Sequence, residues 1–258
     1  MSDLSERIAI VTGASAGIGE AIATALYDAG ARVVVNARRH DRLDAWAEGK
    51  DAKRVEIVVG DAAEHSTVDA MFDQARAKWG READLVVVNA GRGLAGSVTD
   101  SDLDQWDEMV RTNVTGAAYL LRTAANRMAP PGENGPGPTW PKQPRDIVVL
   151  GSIAGKHISP FSSMYGSTKF AVNSLAEALR RQLAPRGVRV TLLAPAVVES
   201  EFQQVAGYDA KTFGEFMSKI GPVLSTADIA NLVSFIVSQP PHVHVNDVVI
   251  RPTRQDYP

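Results

Sequence analysis

The chain has 258 residues and carries 27 Lys and Arg against 30 Asp and Glu, a formal net charge of −3. That length accommodates one large α/β domain or two small ones, and a nearly balanced charge without a block of one sign argues against nucleic acid and anionic membrane as partners. No cysteine occurs, which excludes disulfides, thiolate catalysis and sulfur-ligated metals together.

Residues 1–7 lack the basic-then-apolar plan of a signal peptide. No apolar run approaches the ~18 residues that span a bilayer, and a cytoplasmic protein is the expectation. Residues 7–12, Arg-Ile-Ala-Ile-Val-Thr, read as a strand. Gly13-Ala14-Ser15-Ala16-Gly17-Ile18-Gly19 follows, then a helical pattern of Ile18, Ile22, Ala25 and Leu26 that ends at Gly30, a residue suited to a helix C-cap. Strand, glycine loop and helix in this order make a phosphate cradle. The glycines permit a tight turn and close backbone approach, and the helix N-terminus offers free N–H groups to a pyrophosphate. The spacing is Gly-x3-Gly-x-Gly rather than Gly-x-Gly-x-x-Gly, and a glycine-rich turn with no ligand is the plain alternative.

Residues 32–36 predict a second strand. It leads into Asn36-Ala37-Arg38-Arg39, where a dinucleotide fold usually carries an acidic residue for the ribose 2′-hydroxyl. Arginine instead can pair with a 2′-phosphate and stack on adenine, which argues for NADP(H) over NAD(H); solvating a helix entrance is the alternative. Residues 55–59 and 85–88 predict strands ending in Gly60-Asp61 and Asn89-Ala90-Gly91, with helices at 40–48 and 67–79. This alternation implies a parallel sheet with helices on both faces, and continuous apolar runs suit strands buried on both sides. Ligands then collect at the carboxyl ends of the strands, where Asp61 and Asn89 stand; turn formation is the other role open to both.

Asp100-Ser101-Asp102 supplies an N-cap for a helix with Leu103, Trp106, Met109 and Val110, and residues 113–128 continue helically. Asn113 lies inside that run as a middling helix former that competes for backbone hydrogen bonds, so a local kink is expected there. Residues 129–144 are too rich in Pro and Gly for helix or sheet interior. They read as an exposed surface loop, with a Pro-rich recognition segment as alternative, and not as a domain linker, since the alternation resumes directly behind them.

Residues 147–150 predict a fifth strand that delivers Ser152 at its carboxyl end. Residues 163–179 read as helix and carry Tyr165 and Lys169 one turn apart on one face. An ammonium beside a phenol favours the phenolate, so such a Tyr could exchange a proton near neutral pH. A sixth strand, 188–193, leads to Ala194-Pro195-Ala196. Residues 200–221, irregular and amphipathic, suit a mobile substrate-covering segment or a packed surface helix pair. Ser225-Thr226-Ala227-Asp228 caps a last helix through Val237, and residues 245–250 form the final strand. No metal-ligand constellation is seen among the histidines; His242-x-His244 reads as a strand edge.

Together these residues resemble the short-chain dehydrogenase/reductase family over essentially the whole chain. Thr12-Gly13-x3-Gly17-x-Gly19 resembles its cofactor motif, Asn89-Ala90-Gly91 its strand-four motif and Tyr165-x3-Lys169 its catalytic motif, with Asn113 and Ser152 where the other two catalytic residues are expected. The resemblance implies a single domain, 1–258, built on a Rossmann-type doubly wound parallel sheet of about seven strands. It implies hydride transfer between C4 of a nicotinamide and a small carbonyl compound or secondary alcohol, with NADP(H) as cofactor and no metal. Ser152 would hydrogen-bond the substrate oxygen and Tyr165 exchange the proton. Lys169 would lower the Tyr165 pKa and hold the nicotinamide ribose, and Asn113 would hold a relay water. Asp61 would contact adenine and the backbone around Val198 the nicotinamide amide. Gly13, Ser15, Gly17, Ile18, Gly19, Asn36, Arg38, Asn89, Ala90, Gly91, Pro195 and Ser200 complete the cofactor set with Tyr165 and Lys169.

This chain departs from the family at Val88-Asn89, where two Asn are usual, at Pro195-Ala196 in place of Pro-Gly, and at Ser200, where Thr is common. The stretch from Val248 to Gln255 resembles a subgroup acting on 3-hydroxy acids, including serine and 3-hydroxypropionate. The resemblance also implies a homo-oligomer, a tetramer built on the Asn113 and Tyr165 helices. Two competing readings stay open: a 3-oxoacyl-thioester reductase, whose carrier docking would favour a basic patch near the site, and a catalytically silent NADP(H)-binding sensor or scaffold. The sensor should have lost Ser152, Tyr165 or Lys169, and all three are present.

Overall fold

The apolar runs become strands of one sheet in the computed structural model, which describes residues 3–130 and 144–257. In chain order the elements are β1 (Ile8–Thr12), α1 (Gly17–Asp28), β2 (Arg32–Ala37), α2 (His40–Ala47), β3 (Val55–Val59), α3 (His65–Trp79), β4 (Leu85–Val88), α4 (Trp106–Val110), α5 (Ala117–Met128) and β5 (Arg145–Leu150), then α6 (Ser163–Leu183), β6 (Val188–Pro195), α7 (Phe202–Val205), α8 (Ala210–Ile220), α9 (Thr226–Val237) and β7 (Asp247–Ile250). The seven strands are parallel, in the order β3-β2-β1-β4-β5-β6-β7. This is the doubly wound sheet expected from the sequence.

Successive strand residues point to opposite faces, so each strand feeds two cores. Ile8 and Ile10 of β1 join Met71, Phe72, Leu120 and Val172 beneath α3, α5 and α6. Ala9 and Val11 join Ile22, Leu26, Leu43 and Val233 beneath α1, α2 and α9. Helices therefore cover both faces and leave the strand ends as the accessible part of the sheet. Strand order reverses between β1 and β4, which opens a crevice at their carboxyl ends.

Several boundaries differ from the sequence reading for identifiable reasons. β5 begins at Arg145, ahead of its apolar run, because Arg145 and Asp146 pair in register with Val188 and Arg189 of β6. Burial of Asp146 is offset by charge: it accepts from Arg7 at 2.8 Å and from Arg189 at 2.6 and 2.9 Å, while Arg7 also reaches Asp84 at 2.6 Å. This ionic cluster closes the end of the sheet opposite the crevice. β7 starts at Asp247, so His242 and His244 lie in the connection before it rather than on a strand edge. His244 Nε2 meets the Val190 carbonyl at 3.0 Å, and partial burial lowers its pKa.

The kink expected at Asn113 is a π turn, Arg111–Gly116, between α4 and α5. Of the Pro/Gly-rich stretch 129–144, residues 131–143 lie outside the described residues; Ala129 at its start is buried in the α3–α5 core rather than exposed. Among the described residues no helix is long and apolar enough to cross a membrane.

Candidate active site

β1 delivers Thr12 to the crevice. Its Oγ1 donates to the Val87 carbonyl at 3.2 Å and accepts the N–H groups of Asn89 and Ala90, each at 3.1 Å, which clamps the ends of β1 and β4 together. Gly13 follows at φ +68°, and a Cβ there would stand 2.8 Å from Asn89 Nδ2; a Cβ on Gly19 would stand 2.3 Å from the Gly13 oxygen. Both places demand glycine. The N-cap residue of α1, Ala16, makes no side-chain cap, so bare loop backbone and the first N–H groups of a twelve-residue helix face the crevice. Asn89 holds the loop closed by donating from Nδ2 to the Thr12 carbonyl at 2.9 Å.

The two arginines after β2 separate. Arg39 docks on the glycine loop, donating to Ser15 Oγ from Nε at 3.3 Å and Nη2 at 3.0 Å, and lies 3.6 Å from Glu201. Arg42 lies 3.5 Å from the same carboxylate. Arg38 is 71% exposed and reaches Glu108 at 3.3 Å. Glu201 thus brings the segment after β6 across the crevice mouth, a contact that no local signal announces. Asn36 is fully buried and donates to the carbonyls of Val58 at 2.9 Å and Gly60 at 3.2 Å, so its side chain braces the end of β3. Asp61 accepts from Ala63 N–H at 2.9 Å and from the Arg111 guanidinium. Partial burial favours its protonated form, but those bonds and the charge of Arg111 outweigh it and hold the carboxyl below its usual pKa.

Ser152 follows β5 and caps the single turn Ile153–Gly155, with Oγ accepting the Ala154 N–H at 3.1 Å. α6 brings Tyr165 and Lys169 to the same place. Lys169 is 8% exposed; its Nζ donates to the Leu150 carbonyl at 2.9 Å and stands 5.9 Å from the Tyr165 ring centroid. Burial pushes its pKa down to about 8. Tyr165 is buried as well, and that burial raises the phenol pKa, opposed by its hydrogen bond to Ser152. Burial therefore outweighs the expected pull of Lys169 toward a phenolate, and Tyr165 rests as the protonated phenol, the form that donates in reduction.

Asn113, 2% exposed, sits in the π turn. Its Nδ2 donates to the Arg92 carbonyl at 2.8 Å and to Thr168 Oγ1 at 3.0 Å, and its Oδ1 accepts the Arg92 N–H at 2.8 Å. It thereby ties the chain after β4 to α6, one residue from Lys169. Thr168, which donates to the Tyr165 carbonyl at 2.7 Å, escaped the sequence reading.

One cleft of about 1010 Å³ runs from Arg38 and Arg39 at one end to Phe213 and Phe216 at the other. It is lined by every sequence-predicted site residue except Asn113, Pro195 and Val198 among them, and Ser200 faces Gly17. Phe202, from α7, belongs to the stretch 200–221 that the sequence suggests as a substrate-covering segment or a packed surface helix pair. Its ring packs 5.6 Å from that of Tyr165 and closes over Gly93.

A glycine loop at the reversal point of a parallel sheet, facing a buried phenol with a lysine one turn on, defines a doubly wound α/β oxidoreductase. The chain belongs to the short chain dehydrogenase family, whose model matches residues 7–210. It is 33% identical over 252 residues to an uncharacterized oxidoreductase of Staphylococcus aureus strain MRSA252, covering 98% of this chain and 100% of the relative. Among solved structures it resembles the closed form of a serine dehydrogenase complexed with NADP+, at TM-score 0.85 and 27% identity over 97% of this chain and 96% of that one. It also resembles the 3-ketoacyl-(acyl-carrier-protein) reductase of Brucella melitensis complexed with NADH, at TM-score 0.82 and 26% identity over 96% and 98%.

Proposed function

We propose that this oxidoreductase uses NADP(H) to interconvert a carbonyl compound and a secondary alcohol, with Tyr165 as the general acid and base. The observation that carries the reading is the neutral, buried Tyr165 hydroxyl bonded to Ser152 inside the cleft that the glycine loop opens into. The residues present fit the cofactor: Gly13 and Gly19 leave no room for a Cβ, and the uncapped N-terminus of α1 suits a pyrophosphate. Arg39, with Ser15 and Arg38, suits a 2′-phosphate. Asp61 would face the adenine, Asn89, Ala90, Gly91 and Lys169 the nicotinamide ribose, and Pro195, Val198 and Ser200 the nicotinamide. Bound there, the nicotinamide supplies or accepts a hydride at C4.

The chain's own residues handle the oxygen and its proton. Ser152 Oγ and Tyr165 Oη together orient the substrate oxygen. In reduction Tyr165 would give its proton to that oxygen, and the Lys169 ammonium would stabilise the phenolate left behind. In oxidation the phenolate takes the alcohol proton. Both N–H donors and one acceptor site of Asn113 are already engaged, so a relay water at Asn113 would use its remaining lone pair or its main-chain carbonyl. Phe170, 41% exposed on α6, supports a homo-oligomer built through that helix; light scattering tests it, and a monomer would contradict it.

Titrating the protein with NADPH and NADH, then offering aldehydes, ketones, β-keto acids and an acyl thioester, tests the function. Tighter NADPH binding with turnover of a carbonyl supports it. Tight NADPH binding without turnover of any panel member favours a sensor.

A further inference from the structure

We propose that Glu201 sets the cofactor preference of this cleft by competing with a 2′-phosphate for the Arg39 guanidinium. This rests on the NADP(H) reading given above and deepens it by naming the residue that limits it. The chain on either side of Glu201 is fixed. A Cβ on Gly17 would stand 3.6 Å from Ser200 Cβ, and the Phe202 ring packs 5.6 Å from that of Tyr165, so residue 201 lies between the glycine loop and the reacting position. Gln203 Nε2 donates to the Val198 carbonyl at 2.8 Å, and the Ala95 N–H donates to the Ala206 carbonyl at 2.8 Å, which ties the end of α7 to the chain after β4. The Glu201 side chain does not cap α7. Its two oxygens meet Arg39 Nη1 at 3.6 Å and Arg42 Nη1 at 3.5 Å instead.

Arg39 engages Ser15 Oγ with Nε and Nη2. Nη1 is then the nitrogen left for a phosphate oxygen, and the Glu201 carboxylate already stands against it. A 2′-phosphate held there would share one guanidinium with a carboxylate of its own sign. Glu201 need not leave the cleft mouth to yield, because Arg42 holds the same carboxylate. All three side chains are half-exposed, which keeps the competition to a severalfold effect. A 2′-hydroxyl is uncharged and does not contest Arg39, so the penalty falls on NADP(H) and spares NAD(H). Arg38 stands differently. It is 71% exposed, and its partner Glu108 is also held by Arg111 at 3.2 Å, so Glu108 has less hold on a phosphate at Arg38 than Glu201 has at Arg39.

The test measures, by calorimetry, the dissociation constants of adenosine 2′,5′-bisphosphate, 5′-AMP, NADPH and NADH for wild type and Glu201→Gln. The bisphosphate and NADPH should bind about threefold to tenfold more tightly to the variant, while AMP and NADH change by less than about twofold. In an Arg39→Met background the gain from Glu201→Gln should vanish, because the guanidinium under competition is gone; a carboxylate acting only through its general field would keep the gain. Equal shifts for all four ligands, or a gain that survives in Arg39→Met, overturns the proposal while leaving the NADP(H) reading standing. Equal binding of NADPH and NADH to wild type overturns that reading; the competition then stands if Glu201→Gln acquires the preference and falls if it does not.

Discussion

Replacing Lys169 by Met should stabilise the fold at pH 7 while removing activity. Burial lowers the Lys169 pKa from 10.5 to about 8, and at about 1.36 kcal/mol per pK unit the ammonium costs the folded state roughly 3 kcal/mol at pH 7. Met fills much of the same volume but loses the bond to the Leu150 carbonyl, worth about 1–2 kcal/mol. The balance leaves the variant about 1–2 kcal/mol more stable at pH 7, a melting temperature higher by several degrees. The pH dependence follows from the sign of the shift. Below about pH 8 both folded and unfolded chains are protonated and the cost is present in full. Between about 8 and 10.5 the folded chain releases its proton first, so wild-type stability rises through that window and the advantage of Met disappears. Tyr165, whose folded pKa is raised, acts in the opposite sense above about pH 10 in both proteins and cancels in the comparison. Urea denaturation of wild type and Lys169→Met at pH 7 and at pH 10 measures the difference, alongside NADPH turnover, which should fall by about 10²–10⁴. A variant less stable than wild type at pH 7, or a difference independent of pH, would refute the reasoning.

Arg39→Asp should weaken NADPH relative to NADH by about 10–100-fold, the value of one or two charge-assisted bonds, with a smaller shift in Arg38→Asp; equal cofactor ratios in wild type and both variants would remove the 2′-phosphate assignment. Asn113→Ala deletes three hydrogen bonds of a buried side chain and should cost about 2–4 kcal/mol of stability, read by denaturation, with turnover reduced more than NADPH affinity. Arg7→Met removes the guanidinium shared by Asp84 and Asp146, which keep Arg81 and Arg189 as partners, and should cost about 1–3 kcal/mol; because the cluster lies at the far end of the sheet, NADPH affinity of the folded variant should match wild type.

The strands were legible because burial on both faces makes each an unbroken apolar run, and the strand ends then locate the cleft without further information. The glycine loop, Ser152 and the Tyr165–Lys169 pair followed from those ends. What stayed hidden depends on contacts distant in the chain. Asp146 looks like a loop residue until Arg7 and Arg189 are seen to neutralise it, and Arg145 until its guanidinium is seen to reach the Met128 and Arg186 carbonyls. Asn113 shows as a kink, but its partners at Arg92 and Thr168 come from other elements. The spacing of Tyr165 and Lys169 predicts that they are neighbours, yet the sign of the phenol shift is set by burial, which spacing does not report. Arg38 and Arg39 adjoin in sequence, and only the turn after β2 decides that Arg39 faces Ser15.

The account stands most directly on the hydroxyl of Tyr165. The measurement is NADPH consumption with a ketone that wild type reduces, in Tyr165→Phe, together with NADPH affinity in the same preparation. The account predicts unchanged affinity and a rate lower by about 10²–10⁴, because the ring keeps its packing against Phe202 and only the proton donor is gone. A Tyr165→Phe protein that binds NADPH and turns over at the wild-type rate would contradict it.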